Sequence, residues 1–169
     1  MDVVLRPARP TDDRAIEQIE IAADALLVEL FEAEDWPPPT PSSERALLPG
    51  FVIVAEDASE DAHPVVGFAH VLQFDGQAHL EQLSVHPAHG RRGIGRQLVE
   101  AAMAEARERG HSQITLRTYT DVPWNAPFYA SCGFVPSEPD SPTLRGLIQT
   151  ETELGLFRYG ARVQMTARL

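Results

Sequence analysis

The stretch that most restricts what this chain can become is Leu80 to Leu98, LEQLSVHPAHGRRGIGRQL. It opens as an alternating strand with Glu81, Leu83 and Val85 on one face. It turns at His86-Pro87 and enters a glycine-containing loop from Gly90 to Gly95. A helix is expected from there to about Arg109. A strand that ends in a glycine loop and opens a helix is suited to phosphate, because the first helical turn carries unsatisfied N–H groups and the positive end of the macrodipole. Gly93 and Gly95 let the backbone approach a ligand where a Cβ would collide. Arg91, Arg92 and Arg96 gather positive charge at the same place. Two common phosphate loops do not fit: the dinucleotide fingerprint needs a third small residue where Leu98 stands, and a P-loop needs a Gly-Lys-Ser/Thr triplet that the chain lacks. The ligand-free alternative is a tight strand-to-helix turn.

That turn sits in an acidic chain. A formal net charge of −11 argues against nonspecific binding to nucleic acid or anionic membranes; it suits either a cationic substrate or a solvated acidic surface. At 169 residues, one domain with a real core is expected. Cys132 is the single cysteine, so an intrachain disulfide is ruled out, and no His/Cys cluster has metal-ligand spacing. Asp2, Arg6, Arg9, Asp12 and Asp13 interrupt any apolar run near the start, so no signal peptide is expected. No apolar stretch is long enough to span a bilayer. A cytoplasmic location follows as the expectation.

Along the chain, Val3 to Leu5 reads as a short strand, and Thr11 or Asp12 can cap the next helix. Ile16, Ile19, Ala23, Leu26, Leu27 and Leu30 recur at helical spacing, which predicts an amphipathic helix stopping near Glu34. The prolines of Asp35 to Ser43 forbid helix there, leaving a surface loop with Trp36 turned to a pocket or packed on the domain. Phe51–Ala55 and Val65–Phe74 read as strands joined by an acidic loop, and Gly76 turns the chain into the key strand. Ile94, Leu98, Ala101, Ala102 and Ala106 form the buried stripe of the helix after the loop, which Gly110 ends. Ile114, Leu116 and Thr118 then alternate as a strand parallel to the earlier one, since a helix crosses between them. A short helix near Asn125 with Pro127 in its first turn, a strand from Phe134, a helix over Thr143–Leu154 and a last strand from Arg162 complete the reading.

The window Gly90-Arg91-Arg92-Gly93-Ile94-Gly95 resembles the pyrophosphate loop of the GNAT superfamily of acetyl-coenzyme A-dependent N-acetyltransferases, Gln/Arg-x-x-Gly-x-Gly/Ala, with Gly90 departing at the first position. Asn125 to Phe134, NAPFYASCGF, is similar to the later segment of that family, where Asn, Tyr and Gly-Phe follow the fifth strand. The resemblance covers roughly Val3 to Val135. It implies an α/β (α+β) fold with a mixed, mostly antiparallel sheet, parallel splayed strands four and five, and helices on both faces.

It also implies a division of labour. The backbone of Leu83 and Val85 would pair with the pantetheine arm, and amides from Arg91, Arg92, Gly93, Ile94, Gly95 and Arg96 would hold the diphosphate. An N–H near Leu83 or Ser84 would polarise the acetyl carbonyl, Asn125 would bond the arm, and Phe128 would pack along it. Tyr129 is the expected general acid, against the alternative of a core tyrosine. Glu81 is the favoured base, against a structural ion pair, with His79 the other candidate. His86 and His89 are expected at the surface. The implied reaction is direct acetyl transfer from acetyl-CoA, without a metal, to a primary amine of a small acceptor, which the acidic chain suggests is cationic. The alternative is a noncatalytic acyl-CoA-binding sensor. Acidic and aromatic residues at Glu29, Phe31, Glu32, Glu34, Asp35 and Trp36 are expected to line the acceptor side, in a monomer or homodimer.

Overall fold

The computed structural model describes residues 2–169; Met1 lies outside the described residues. In chain order the elements are β1 (Val3–Pro7), a 3-10 turn (Pro10–Asp12), α1 (Asp13–Phe31), α2 (Ser42–Arg45), β2 (Gly50–Asp57), β3 (Val65–Phe74) and β4 (Gln77–Val85). There follow a 3-10 turn (Pro87–His89), α3 (Ile94–Glu108), β5 (Gln113–Tyr119), α4 (Ala126–Ser131), β6 (Val135–Ser137), α5 (Pro142–Glu153), a 3-10 turn (Leu156–Tyr159) and β7 (Arg162–Arg168). The strands form one sheet in the order β1-β2-β3-β4-β5-β7-β6. Every pairing is antiparallel except β4 with β5. The mixed sheet with helices on both faces is therefore as expected.

One face of the sheet is sealed by α3. Leu98, Val99, Ala102 and Ala106 are fully buried there against Ala69, Val71, Ala78 and Leu80 of β3 and β4. The alanines let the helix lie close to the strands, while Ile94 and Leu98 fill the space beneath its first turns. The opposite face carries α1, whose Ile16 and Ile19 pack on Val54 and Phe68. Its apolar stripe is rotated from the expected one: Leu26 and Leu30 are exposed, and Glu20 and Asp24 share the inward side with Ala23 and Leu27. The helix ends at Phe31, three residues early, because Glu32 adopts left-handed geometry (φ 51°). Asp12 does not cap α1 with its side chain. Its carboxylate accepts instead from the Arg9 N–H at 2.7 Å and from the Arg6 guanidinium at 2.8 Å.

Asp75 and Gly76, both at positive φ, form the two-residue turn that returns β3 into β4. Such a turn matches the strand twist and fixes the register of the hairpin. Further along, that register shifts: His70 faces Gln82 and Val71 faces Leu80, so Glu81 is an extra residue in β4. This bulge overturns the expected grouping of Glu81 with Leu83 and Val85. Leu80 and Leu83 both pack into the α3-side core although they are an odd number of residues apart, so the alternation is broken between them. Glu81 falls with His79 on the other face, their Oε2 and Nε2 3.8 Å apart. Among the described residues no helix is long and apolar enough to cross a membrane.

Candidate active site

Strands β4 and β5 pair only over Ala78–Leu80 and Ile114–Leu116. Beyond Leu80 they have no register with each other, so the β5-facing backbone of Glu81–Val85 lacks a strand partner and the sheet is parted. A cleft of about 310 Å³ occupies the gap, with His79 to Ser84 on one wall and Leu116 to Tyr119 on the other. Asn125 and Tyr129 of the α4 region also line it.

The start of α3 lies beside that opening. Gly93 is its N-cap at φ 77°, a left-handed conformation that a side chain resists, and it presents the first helical amides without intrahelical acceptors. Gly95 plays a different part. A Cβ there would lie 3.5 Å from the Phe128 ring and 3.9 Å from Val85, at ordinary contact distance, so the glycine keeps open the space between the end of β4 and α4. Arg91, also at positive φ (59°), and Arg92 are exposed. Arg96 is already engaged: its guanidinium donates to the Ser131 carbonyl at 3.1 Å and hydroxyl at 2.8 Å, tying α3 to α4. Asn125 caps α4 by position, with Pro127 in the first turn, and its Oδ1 accepts from the Thr118 hydroxyl at 2.7 Å. This bond fixes Asn125 against β5.

The proton-handling groups all line the cleft. His79 is buried and its Nδ1 is 2.8 Å from the Thr115 hydroxyl. Desolvation, then the positive charge of Arg117, lowers its pKa to about 4, so it is a neutral imidazole at physiological pH. Glu81 lines the cleft with 43% of its side chain reachable by water. Desolvation raises its pKa to about 7, with Glu151 and Glu20 adding to the rise and Arg45 and Arg162 opposing it. Tyr129 is held edge-on between Phe128 and Phe134, with centroids 5.2 and 5.9 Å away, and burial raises its pKa, so the phenol stays protonated. Cys132 is half-buried, with its thiol pKa also raised by burial.

The acceptor end is acidic, but not through the residues expected. Of Glu29, Phe31, Glu32, Glu34, Asp35 and Trp36 only Trp36 lines the cleft; Glu29 is on the exposed face of α1, and Glu32, Glu34 and Asp35 follow its end and are exposed as well. The carboxylates on the wall are Glu20, Asp24, Glu81 and Glu151. Glu20 is paired with the buried Arg45 at 2.6 Å, and Glu151 bridges Arg117 at 2.8 Å and Arg162 at 2.7 Å. Among the described residues Asp24 forms no ion pair. It accepts from the Trp36 indole at 3.1 Å, and burial raises its pKa to about 6, Glu20 contributing. Trp36 in turn packs on Phe31 and Tyr159, with centroids 6.2 and 5.6 Å away, so it both lines the cleft and braces the loop. Sequence reasoning missed Glu20 and Asp24, whose signal was an acid at two inward positions of an apolar stripe. It also missed Arg117, Glu151 and Arg162, which only the β5–α5–β7 packing brings together. His86 and His89 are half-buried at the turn; His86 Nδ1 accepts from the Ala88 N–H at 3.1 Å.

A sequence model described as Acetyltransferase (GNAT) family matches residues 19–134, from α1 through the end of the α4 segment. The chain belongs to the GNAT acetyltransferase family. Solved structures agree on the fold. The PaiA N-acetyltransferase of Thermoplasma acidophilum in complex with coenzyme A superposes with a TM-score of 0.70 at 14% identity, covering 100% of both chains. A putative streptothricin acetyltransferase of Bacillus anthracis in complex with acetyl coenzyme A gives 0.69 at 16% identity over 100% of this chain and 99% of that one. A GNAT-family acetyltransferase of Staphylococcus aureus gives 0.74 at 14% identity over 99% of each. Within the GNAT match fall the glycine loop, Glu81, His79, Asn125 and Tyr129. Arg162 and Glu151, which line the same cleft, lie beyond it.

Proposed function

We propose that the protein transfers an acetyl group directly from acetyl-CoA to a primary amine of a small cationic acceptor. The observation that carries this reading is the parted β4–β5 pair opening beside the glycine-capped start of α3, with a raised-pKa carboxylate lining the gap. The coenzyme-bound neighbours of the same fold support the choice of donor. The residues suit its shape: a free strand edge at Leu83, Ser84 and Val85 for an extended amide arm, and open space above Gly95 with the amides of Arg91 to Arg96 for a diphosphate. Phe128 flanks that path. Asn125 stands where the arm would pass.

Acetyl-CoA supplies the activated acyl group. Glu81, with its pKa near neutrality, takes a proton from the acceptor's ammonium, directly or through water, and so frees the neutral amine to attack the acyl carbon. Neutral His79 sits behind it at 3.8 Å and can receive a hydrogen bond from the protonated acid, which makes it a positioning residue rather than the base. A backbone N–H at Leu83 or Ser84 meets the negative charge that develops on the acyl oxygen. Tyr129, still protonated, returns a proton to the departing sulfur. Asp24 and Glu81 are half-ionised near pH 6 and pH 7; a cation beside them lowers both pKa values and is bound more tightly for doing so.

A thiol-release screen over an amine panel tests the reading, with polyamines and aminoglycosides expected to outrun neutral or acidic acceptors. Tyr129→Phe separates enzyme from sensor. An enzyme loses turnover, by about 10²- to 10⁴-fold, and keeps coenzyme affinity. A sensor loses nothing.

A further inference from the structure

Of the carboxylates on the wall of the parted-strand cleft, Glu20 is neutralised by Arg45, and Glu151 by Arg117 and Arg162. The other two are not. Glu81 meets the neutral His79, and Asp24 forms no ion pair among the described residues. Asp24 lies one helical turn after Glu20 on the same face of α1, and Leu27 follows it into the cleft. At the end of the helix Phe31 packs on Tyr119 of β5 and on Trp36, with centroids 5.0 and 6.2 Å away. Helix α1 therefore carries Asp24 from the Glu20–Arg45 pair toward an aromatic cluster at one end of the cleft. Its Oδ2 accepts from the Trp36 indole at 3.1 Å. Its Oδ1 accepts no hydrogen bond among the described residues and is not closed off from solvent.

We propose that Asp24 sets acceptor specificity by holding a second, nonreacting ammonium, which makes the substrate class an aliphatic diamine. This rests on the acetyl-transfer reading of the cleft. The two unneutralised carboxylates have different fates in that reaction. Of the reacting ammonium's protons, one passes to Glu81, one to the sulfur by way of Tyr129, and one stays on the amide. Glu81 is then neutral, and the acetylated nitrogen carries no charge. Asp24 exchanges no proton, so its charge persists from substrate to product and calls for a cation that keeps its protons throughout. A monoamine cannot supply that cation, because its one ammonium is consumed at Glu81. A diamine supplies both. Burial, with Glu20 contributing, holds the Asp24 carboxyl up at about 6, and a cation at Oδ1 completes its ionisation. Leu27 and Trp36 beside Asp24, and Tyr119 whose hydroxyl already donates to the Leu156 carbonyl at 2.9 Å, give that end of the cleft apolar walls suited to a methylene spacer.

Calorimetric titration of the whole chain, with coenzyme A present, tests the assignment. The probes are the straight-chain diamines from trimethylenediamine to hexamethylenediamine, each against the monoamine of the same chain length. At the best length the diamine should bind about tenfold tighter or more than its monoamine. Asp24→Asn, which keeps the side chain's shape and can still accept from Trp36, should bring that ratio down to about one with the thermal midpoint unchanged. Thiol release with the same amines should then place the diamine's advantage in KM rather than kcat. A wild-type ratio near one at every chain length overturns the proposal without any variant. So does an Asp24→Asn protein that keeps the wild-type ratio. If no amine is acetylated at all, the acetyl-transfer reading fails, while the binding ratio still decides whether Asp24 holds an ammonium.

Discussion

Replacing Glu81 by Gln isolates the group on which proton transfer is proposed to depend, and the structure sets the size of the effect. With a pKa of about 7, roughly one Glu81 in eleven is ionised at pH 6 and ten in eleven at pH 8. If the carboxylate is the base, kcat/KM for the amine at saturating acetyl-CoA rises about tenfold across that interval, with its midpoint near pH 7. A carboxylate at the ordinary value near 4.5 would be ionised throughout and give a flat profile over the same range. The acceptor's own ionisation is common to both proteins, so the measured quantity is the ratio of wild type to Glu81→Gln at each pH, by thiol release. That ratio should climb about tenfold from pH 6 to pH 8, reaching about 10²- to 10⁴-fold at its plateau. The charges acting on Glu81 are those of Arg45, Glu151, Glu20 and Arg162, in that order, with the neutral His79 3.8 Å away; none is altered by the substitution. A ratio independent of pH, or a variant that keeps the limb at pH 7, would refute Glu81 as the base.

Other consequences can be checked on the same protein. Gly93→Ala must hold a side chain at φ 77°, so it should cost about 1 kcal/mol in chemical denaturation and also weaken coenzyme A binding. Gly95→Ala has ordinary helical geometry and room for the methyl, so stability should hold or rise while coenzyme affinity falls, because the methyl enters the proposed diphosphate path. For His79 the pKa is depressed from 6.5 to about 4, so the stability it contributes is complete above pH 6.5 and is lost as pH falls from 6.5 through 4. The loss is about 3 kcal/mol. His79→Asn should flatten that acid limb in unfolding experiments at pH 4 to 7.

The glycine loop and the strand–helix–strand around it could be read in the sequence because each local rule there agrees with the packing. Gly93 needs φ 77°, Leu98 and Ala102 face the sheet at helical spacing, and Pro127 sits where a helix tolerates it. The parting of β4 from β5 was reached only by resemblance. Nothing in the residues from Gln82 to Val85 declares that their outer edge is unpaired. The bulge at Glu81 was hidden for a physical reason: period-two alternation carries no mark of an inserted residue unless its partner strand is known, and that partner, His70–Val71, is ten residues back around a turn. The acidic wall was misplaced for a similar reason. Leu26 and Leu30 pulled the predicted stripe of α1 around, although the helix turns Glu20 and Asp24 inward instead, because Trp36 from the following loop and Arg45 from α2 meet them. Ion pairs among β5, α5 and β7 lie further still from anything local spacing records.

The central claim is that the start of α3 and the free edge of β4 together receive coenzyme A. The most direct measurement is an amide NMR titration of the protein with coenzyme A, recording which backbone N–H groups respond. Saturable shifts at Leu83 to Val85, Gly93 to Arg96 and Asn125, fitting one site, are expected. A well-folded protein that shows no saturable response at those amides, or whose shifts cluster away from the parted strands, would contradict it.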